Sequence, residues 1–400
     1  MENCITSEEA KELVGWDEAS EVYTIYAVLQ QLTDTRQPQG KRYALAHILT
    51  FVLLAKAAGE TTLQAIAEWI RLRGSWLQTM LPGVRASFPC AATYSNVLRT
   101  VDPEQVNEVL MSLLTRVRAG QREPGEQEHV ALDGKTLRGT QKHAAEDQKK
   151  MHQVSLYETR TGIILKEQVV NDKESEQTRV EEFLIPLYVK GRIVTADALH
   201  THAKTCASIT ASGGKYLFFA KGNQSTLKKD LQLFFREPPQ DCHDWRAAET
   251  LDAGHGRIEQ RALTASTELN DFLSRDWPGV GQVFRLRLRF HHRFKCSQQI
   301  VYGFTSLTKD QASPQRLLEL IREHWMIENK LHYRRDVTFR EDHCQVRKGL
   351  APRILAILNS FVLALFDWLA VHNVARQMRI FAAQPSLALR LFTRPLQKIK

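Results

Sequence analysis

A polar run at 119–128, AGQREPGEQE, splits the chain between two hydrophobic periods, and this split constrains the fold more than any other feature. Before the run, apolar residues recur at helical spacing. After it they gather into short strand-like segments bounded by turn residues. A helical unit therefore precedes a mixed α/β unit, and 400 residues suffice for two or three cores. In the first unit YALAHILTFVLLAKAAGE (43–60) reads as a buried helix. Thr61 with Gln64 forms a capping-box pattern ahead of LQAIAEWIRLRG, which Gly74 stops. Asp102-Pro103 starts another helix, through Leu114. Successive short helices fit a helix-turn-helix DNA reader or a plain packing domain, and periodicity does not choose between them.

The balance of 54 Lys+Arg against 45 Asp+Glu, a net +9, agrees with a polyanionic partner. Six scattered cysteines with no CxxC pair argue against a zinc ribbon and a disulfide framework, and they fit a reducing cytoplasm. Residues 1–15 are acidic and polar, unlike a signal peptide. Of two apolar runs, 44–58 is too short to span a membrane and 354–371 contains Asn359, Ser360 and Asp367. Both are expected as buried helices, with no membrane partner.

In the second unit HVALD (129–133), MHQVSLYE, GIILKEQVV, RIVTADA (192–198) and KYLFFAKGN read as strands, with helices at 175–187 and 201–212. The later strands are expected to join by right-handed crossovers. From 222 to 307 three alternating runs, RIEQRALTAS, GQVFRLRLRF and QQIVYGFTSL, make a β-rich insertion. The helical period returns at Pro314. The expected organisation is helical at 1–118, α/β at 128–221 and 308–372 around the 222–307 insertion, and a basic C-terminal tail at 373–400.

Asp133 and Asp197 each end an apolar strand, where an open α/β sheet binds its ligands. Singly, each is better explained as a turn or N-cap aspartate. Together with a later helical acid they suit two hard divalent cations, about 3.5–4 Å apart, acting on a phosphodiester. The third acid lies among Glu328, Asp336, Glu341 and Asp342. On one continuous helix Asp336 would sit roughly 80° around from Glu328 and about 12 Å further along, so the two cannot share an ion. Glu341 and Asp342 follow VTF, which ends the helix, and Glu328 is preferred. His324, Glu328 and His332 are spaced for zinc, but HExxH is absent. There is no GxSxG elbow and no phosphate-cradling glycine loop.

The segments ALDGKTLRGT, RIVTADALHTH, YLFFAKGNQSTL, GHGRIEQR and HWMIENKLHYRRDVTFREDHCQVRKG, in this order, resemble the H-repeat-associated insertion-sequence transposases of the DDE superfamily. The likeness runs from about Leu32 to Val371. It implies a ribonuclease-H-like catalytic core with a β-rich insertion, preceded by an all-α N-terminal domain. The triad falls on Asp133, Asp197 and Glu328. The resemblance further implies two Mg2+ ions, replaceable by Mn2+, and metal-dependent end cleavage with strand transfer. The implied partners are double-stranded DNA, both terminal inverted repeats and target, and further copies of the chain in a homodimer or higher multimer. Location would be cytoplasmic and nucleoid-associated. His324 and Arg335 stand where many such enzymes carry arginine and lysine. A nuclease that cuts without joining, or an inactive DNA-binding relic, are the rival readings.

Candidate DNA contacts complete the reading. Lys135 and Arg138 follow the first aspartate, and Lys221 and Asn223 sit at the end of the fifth strand. Trp325 could stack on an unpaired base. Arg285, Arg287 and Arg289 form a row that could follow a phosphate backbone or simply protect an edge strand. Arg257 and Arg335 are further candidates.

Overall fold

The computed structural model describes residues 24–119, 127–138, 151–170, 180–254, 257–292 and 295–396. Most of the polar run, and residues 175–179 of the helix expected at 175–187, lie outside these residues. Six helices come first: α1 (Ile25–Gln30), α2 (Leu45–Ala57), α3 (Leu63–Arg71), α4 (Gly74–Met80), α5 (Ala91–Leu98) and α6 (Pro103–Ala119). Every residue of α2 is buried. A helix apolar on all faces can only lie at the centre of a bundle. Its neighbours are α1, α3 and three helices from the far end of the chain: α13 (Ala351–Trp368), α14 (Val374–Ala383) and α15 (Pro385–Thr393).

Two local expectations shift. Thr62, not Thr61, caps α3, its hydroxyl accepting from the Ala65 amide at 3.1 Å. Gly74 does not stop α3 but opens α4, where a side chain would collide with the Phe88 ring. The Asp102 cap does form, Oδ1 accepting from the Glu104 amide at 3.0 Å. Within the stretch read as a basic tail, residues 374–393 form two packed helices. Val374, Met378, Phe381, Leu387, Leu391 and Phe392 are buried. Their helical spacing is masked in the sequence by the intervening arginines, and the stripe they form seals the bundle. Helix α13 is long and apolar enough to cross a membrane, yet it is buried here against the other helices.

The second unit is one nine-stranded sheet. Its strands are β1 (Glu128–Thr136), β2 (His152–Glu158), β3 (Ile164–Val170), β4 (Arg192–Ala196), β5 (Lys215–Ala220), β6 (Arg246–Gly254), β7 (Arg257–Ser266), β8 (Gln282–His292) and β9 (Lys295–Thr305). Their order is β3-β2-β1-β4-β5-β9-β8-β7-β6. β1, β4 and β5 run parallel, and the remaining pairings are antiparallel. Short α7 (Pro186–Val189) and α8 (Ala203–Ala211) make the crossovers. Segment 222–307 holds α9 (Ser225–Arg236), four strands rather than three, and short α10 (Asn270–Leu273). It is not a separate body, because β9 pairs with β5 and carries the core sheet onward.

One face of the sheet, through Val130, Leu132, Val194 and Phe218, packs on α8 and α9. The other receives α11 (Pro314–His324), a π-helical segment (Ile327–His332) and α12 (Tyr333–Val337). The helical bundle shares this second face, since Ala131, Tyr157, Ile327 and Leu331 belong to the same apolar cluster as α2 and α13.

Gly303 lets β5, β8 and β9 approach, because a Cβ there would overlap the Phe284 ring and the Phe218 carbonyl. Gly303→Ala is expected to destabilise the chain by about 3 kcal/mol, the upper end of overpacking costs. Gly222→Ala, whose Cβ meets nothing, should stay within ~0.5 kcal/mol in denaturant unfolding.

Candidate active site

The parallel register pairs Ala131 with Thr195 and Leu132 with Ala196. Continued by one residue, it sets Asp133 beside Asp197 on the same face, with Cα atoms roughly 5 Å apart. Asp133 does not end its strand. β1 runs on to Thr136 because β2 still pairs with it, although β4 has stopped. Asp133 therefore lies where a strand loses its parallel neighbour. Asp197 follows β4 directly, accepts from the Ala198 amide at 2.7 Å and holds Lys221 Nζ at 2.5 Å. Its N-cap role and its place beside Asp133 hold together.

Glu328 arrives from above on the π-helical segment, where the Tyr333 amide bonds to the Glu328 carbonyl. The continuous α-helix assumed from sequence is therefore broken, and wider i→i+5 turns are frequent at functional sites. Partial burial, and then the Asp133 carboxylate, push Glu328 above its ordinary range. Burial also raises Asp133, but the nearby His332, the Gly134 amide and His324 outweigh it and hold it low. Two carboxylates so close divide their protonation in this way.

Three orphaned groups surround the pair. Asp133 Oδ2 is buried with no aligned hydrogen-bond donor, and so are both ring nitrogens of His332. His332 Nε2 nevertheless lies 3.2 Å from that same Oδ2. Among the described residues, no three His, Cys, Asp or Glu side chains already surround a single point. A buried, unmatched carboxylate oxygen beside a second carboxylate suits a divalent cation, and the oxygen donors suit Mg2+ or Mn2+.

A buried chain fixes the helix that leads into the site. Glu323 Oε2 meets His129 Nδ1 at 2.8 Å, His129 Nε2 meets Thr195 Oγ1 at 2.7 Å, and Thr195 Oγ1 meets His324 Nδ1 at 2.9 Å. The carboxylate accepts from His129 Nδ1–H, the Thr195 hydroxyl donates to His129 Nε2, and His324 Nδ1–H donates to Thr195. His324 is thus the Nδ1–H tautomer. Burial first, against the pull of Asp133, holds its pKa down at about 4.

The sequence candidates separate. Arg335 is fully buried, and this corrects its reading as a DNA contact. Its guanidinium donates to Glu341, Glu167 and Gln153 at 2.6–3.3 Å. Asn359 joins Glu341 to the buried Lys56 of α2. Lys135 is also turned inward, onto Asp336, so it is not presented to a phosphate. Arg138 is exposed, near Asp342. Lys221 holds Asp197, and Asn223 donates to the Ala198 carbonyl at 2.6 Å.

Arg285, Arg287 and Arg289 alternate with Leu286 and Leu288, which face α11. The row therefore projects from the face opposite Asp133, where Arg285 covers the Phe235 ring of α9. Arg257 opens β7, and its side chain lies outside the described residues. Trp325 is exposed over a cleft of about 710 Å3 that it shares with Leu288, Phe290 and Met326. Sequence reading missed Glu167, whose alternation within GIILKEQVV was its only signal.

The chain belongs to the Transposase DDE domain family, whose model matches residues 124–365, and residues 26–114 match the DDE_Tnp_1-associated domain. An "Uncharacterized protein in dhlA 3'region" of Xanthobacter autotrophicus is 30% identical over 61% of this chain and 81% of that protein. The "H repeat-associated putative transposase YhhI" of Escherichia coli K12 is 26% identical over 81% of this chain and 85% of that protein. A solved piggyBac transposase synaptic complex with hairpin DNA aligns over 98% of this chain and 81% of that one. Its TM-score is 0.43, at 11% identity.

Arg335→Ala would strand Glu167 and Glu341 as buried charges, and denaturant unfolding should show a loss of about 3–5 kcal/mol. In selectively labelled protein, 15N shifts should show His324 as the neutral Nδ1–H tautomer down to about pH 4. An ordinary midpoint near 6.5 would break the Glu323–His129–Thr195 chain.

Proposed function

We propose that the chain is an insertion-sequence transposase that cleaves the ends of its element and transfers them into target DNA. The observation that carries the reading is that Asp133 and Asp197 follow one another across adjacent parallel strands, while Glu328 meets the Asp133 carboxylate from the π-helical segment. The strand order β3-β2-β1-β4-β5, antiparallel and then parallel, supports a ribonuclease-H-like core. Asp133 and Asp197 would hold divalent ions between them, and Glu328 would close the set from the π-helical segment. Divalent ions held by these carboxylates would supply the Lewis acidity that such a reaction needs at its attacking and leaving oxygens.

The remaining work belongs to this chain's own groups. Lys221 holds Asp197 in place and supplies positive charge at the mouth of the site. The chain from Glu323 to His324 fixes the end of α11, which leads into the segment bearing Glu328. Exposed Arg138, and Trp325 over its cleft, are the groups best placed to meet DNA on this face. A net charge of +9 favours phosphate contacts that weaken with salt. Two element ends must be brought together, so the active form would hold more than one copy.

Incubating the protein with element-end DNA, Mg2+ and a supercoiled target should give cleaved ends and joined products. Asp133→Asn, Asp197→Asn and Glu328→Gln should each reduce both by roughly a thousandfold or more, with end binding retained. Cleavage without joining would leave a nuclease. Full activity in any of the three variants would remove that carboxylate from the site.

A further inference from the structure

His332 is the feature that this reading leaves unexplained. It is buried, Nδ1 has no hydrogen-bond partner, and Nε2 meets only the Asp133 carboxylate, out of hydrogen-bond alignment. A buried imidazole left in that state is costly, so the arrangement calls for a missing group. Three further facts converge on it. Nε2 stands 3.2 Å from Asp133 Oδ2, which is itself unmatched. Adjacent ligands about 2.1 Å from one octahedral ion stand roughly 3.0 Å apart, so the separation fits two donors on one cation. Four residues earlier on the same segment, Glu328 faces the same aspartate.

The third fact concerns Glu167. Sheet register places Asp133, Ser155 and Glu167 in one row across β1, β2 and β3. Glu167 Oε2 is occupied by Ser155 and Arg335, while Oε1 is buried and unmatched. Glu167 also lies within electrostatic reach of His332.

We propose that His332 is a further protein ligand of the metal centre, with Nε2 facing the ion. The inference rests on the preceding reading that Asp133 and Glu328 hold divalent cations. It gives Asp133 Oδ2 and His332 Nε2, which stand side by side, a common partner. A nitrogen donor biases the site toward Mn2+ over Mg2+, since imidazole suits the softer ion.

The test uses Mn2+ alone with the full chain. Pulsed electron paramagnetic resonance should show one directly bound 14N, which becomes a 15N coupling when only the histidines are 15N-labelled. The coupling should vanish in His332→Asn, with Mn2+ affinity reduced about tenfold or more. It should persist in His324→Asn. The labelling result needs no variant to fold. If Mn2+ binds in an Asp133-dependent manner without nitrogen coupling, or if the coupling survives in His332→Asn, His332 is not a ligand and the proposed function stands. If Mn2+ binding does not depend on Asp133, the metal reading itself falls, and this inference falls with it.

Discussion

Arg335 is the point from which the site is built. A guanidinium with no exposed surface must have its charge and donors answered by the protein, and here Glu341, Glu167 and Gln153 answer them. These partners come from β2, β3 and the turn after α12. Through Asn359 the network reaches α13, and through Lys56 it reaches α2. One buried ionic knot thereby fixes the helical bundle, the antiparallel half of the sheet and the helix after Glu328 relative to one another. Burial depresses Lys56 to about 8, which shows how dry that knot is. Such networks are strongly destabilised when one partner is removed, because the charges left behind cannot reach water.

Above the knot, the polar groups sort by row. The aspartate row carries Asp133 and Glu167, answered by Glu328 and His332 from above and by Arg335 at its far end. Two residues along the strands, Lys135 and Gln153 meet Asp336 and Arg335. The helix-side residues meet their strand partners in register because the π-helical segment lets Glu328 and His332 face one aspartate while Arg335 and Asp336 still reach theirs. The chain from Glu323 through His129 and Thr195 to His324 fixes the other end of the same helix.

Much of this was legible in the sequence. The change of period at 119–128 separated helical from sheet-forming residues, and short apolar runs ending in Asp133 and Asp197 marked two strands, which the structure sets side by side in parallel. Glu328 was separable from Asp336 by helix geometry, although the helix proved to be interrupted. What stayed hidden depended on non-local pairing. RAAETLDAG alternates too weakly to announce β6, and nothing local shows that β9 would pair with β5. Arg335 sits among charges and reads as solvated, because its buried acids come from distant segments. The C-terminal helices were obscured by their arginines, which occupy only the outward faces.

The unbroken sheet has a mechanical consequence. Because β5 and β9 share a hydrogen-bonded ladder, no hinge separates the carboxylate edge from the four strands beyond it. A twisted sheet of this size is stiff, and swinging its outer half would break that ladder along its length. A duplex engaging both regions would therefore have to conform to the protein, its own bending absorbing the misfit. Sequences that kink cheaply would then be favoured even where no side chain touches a base.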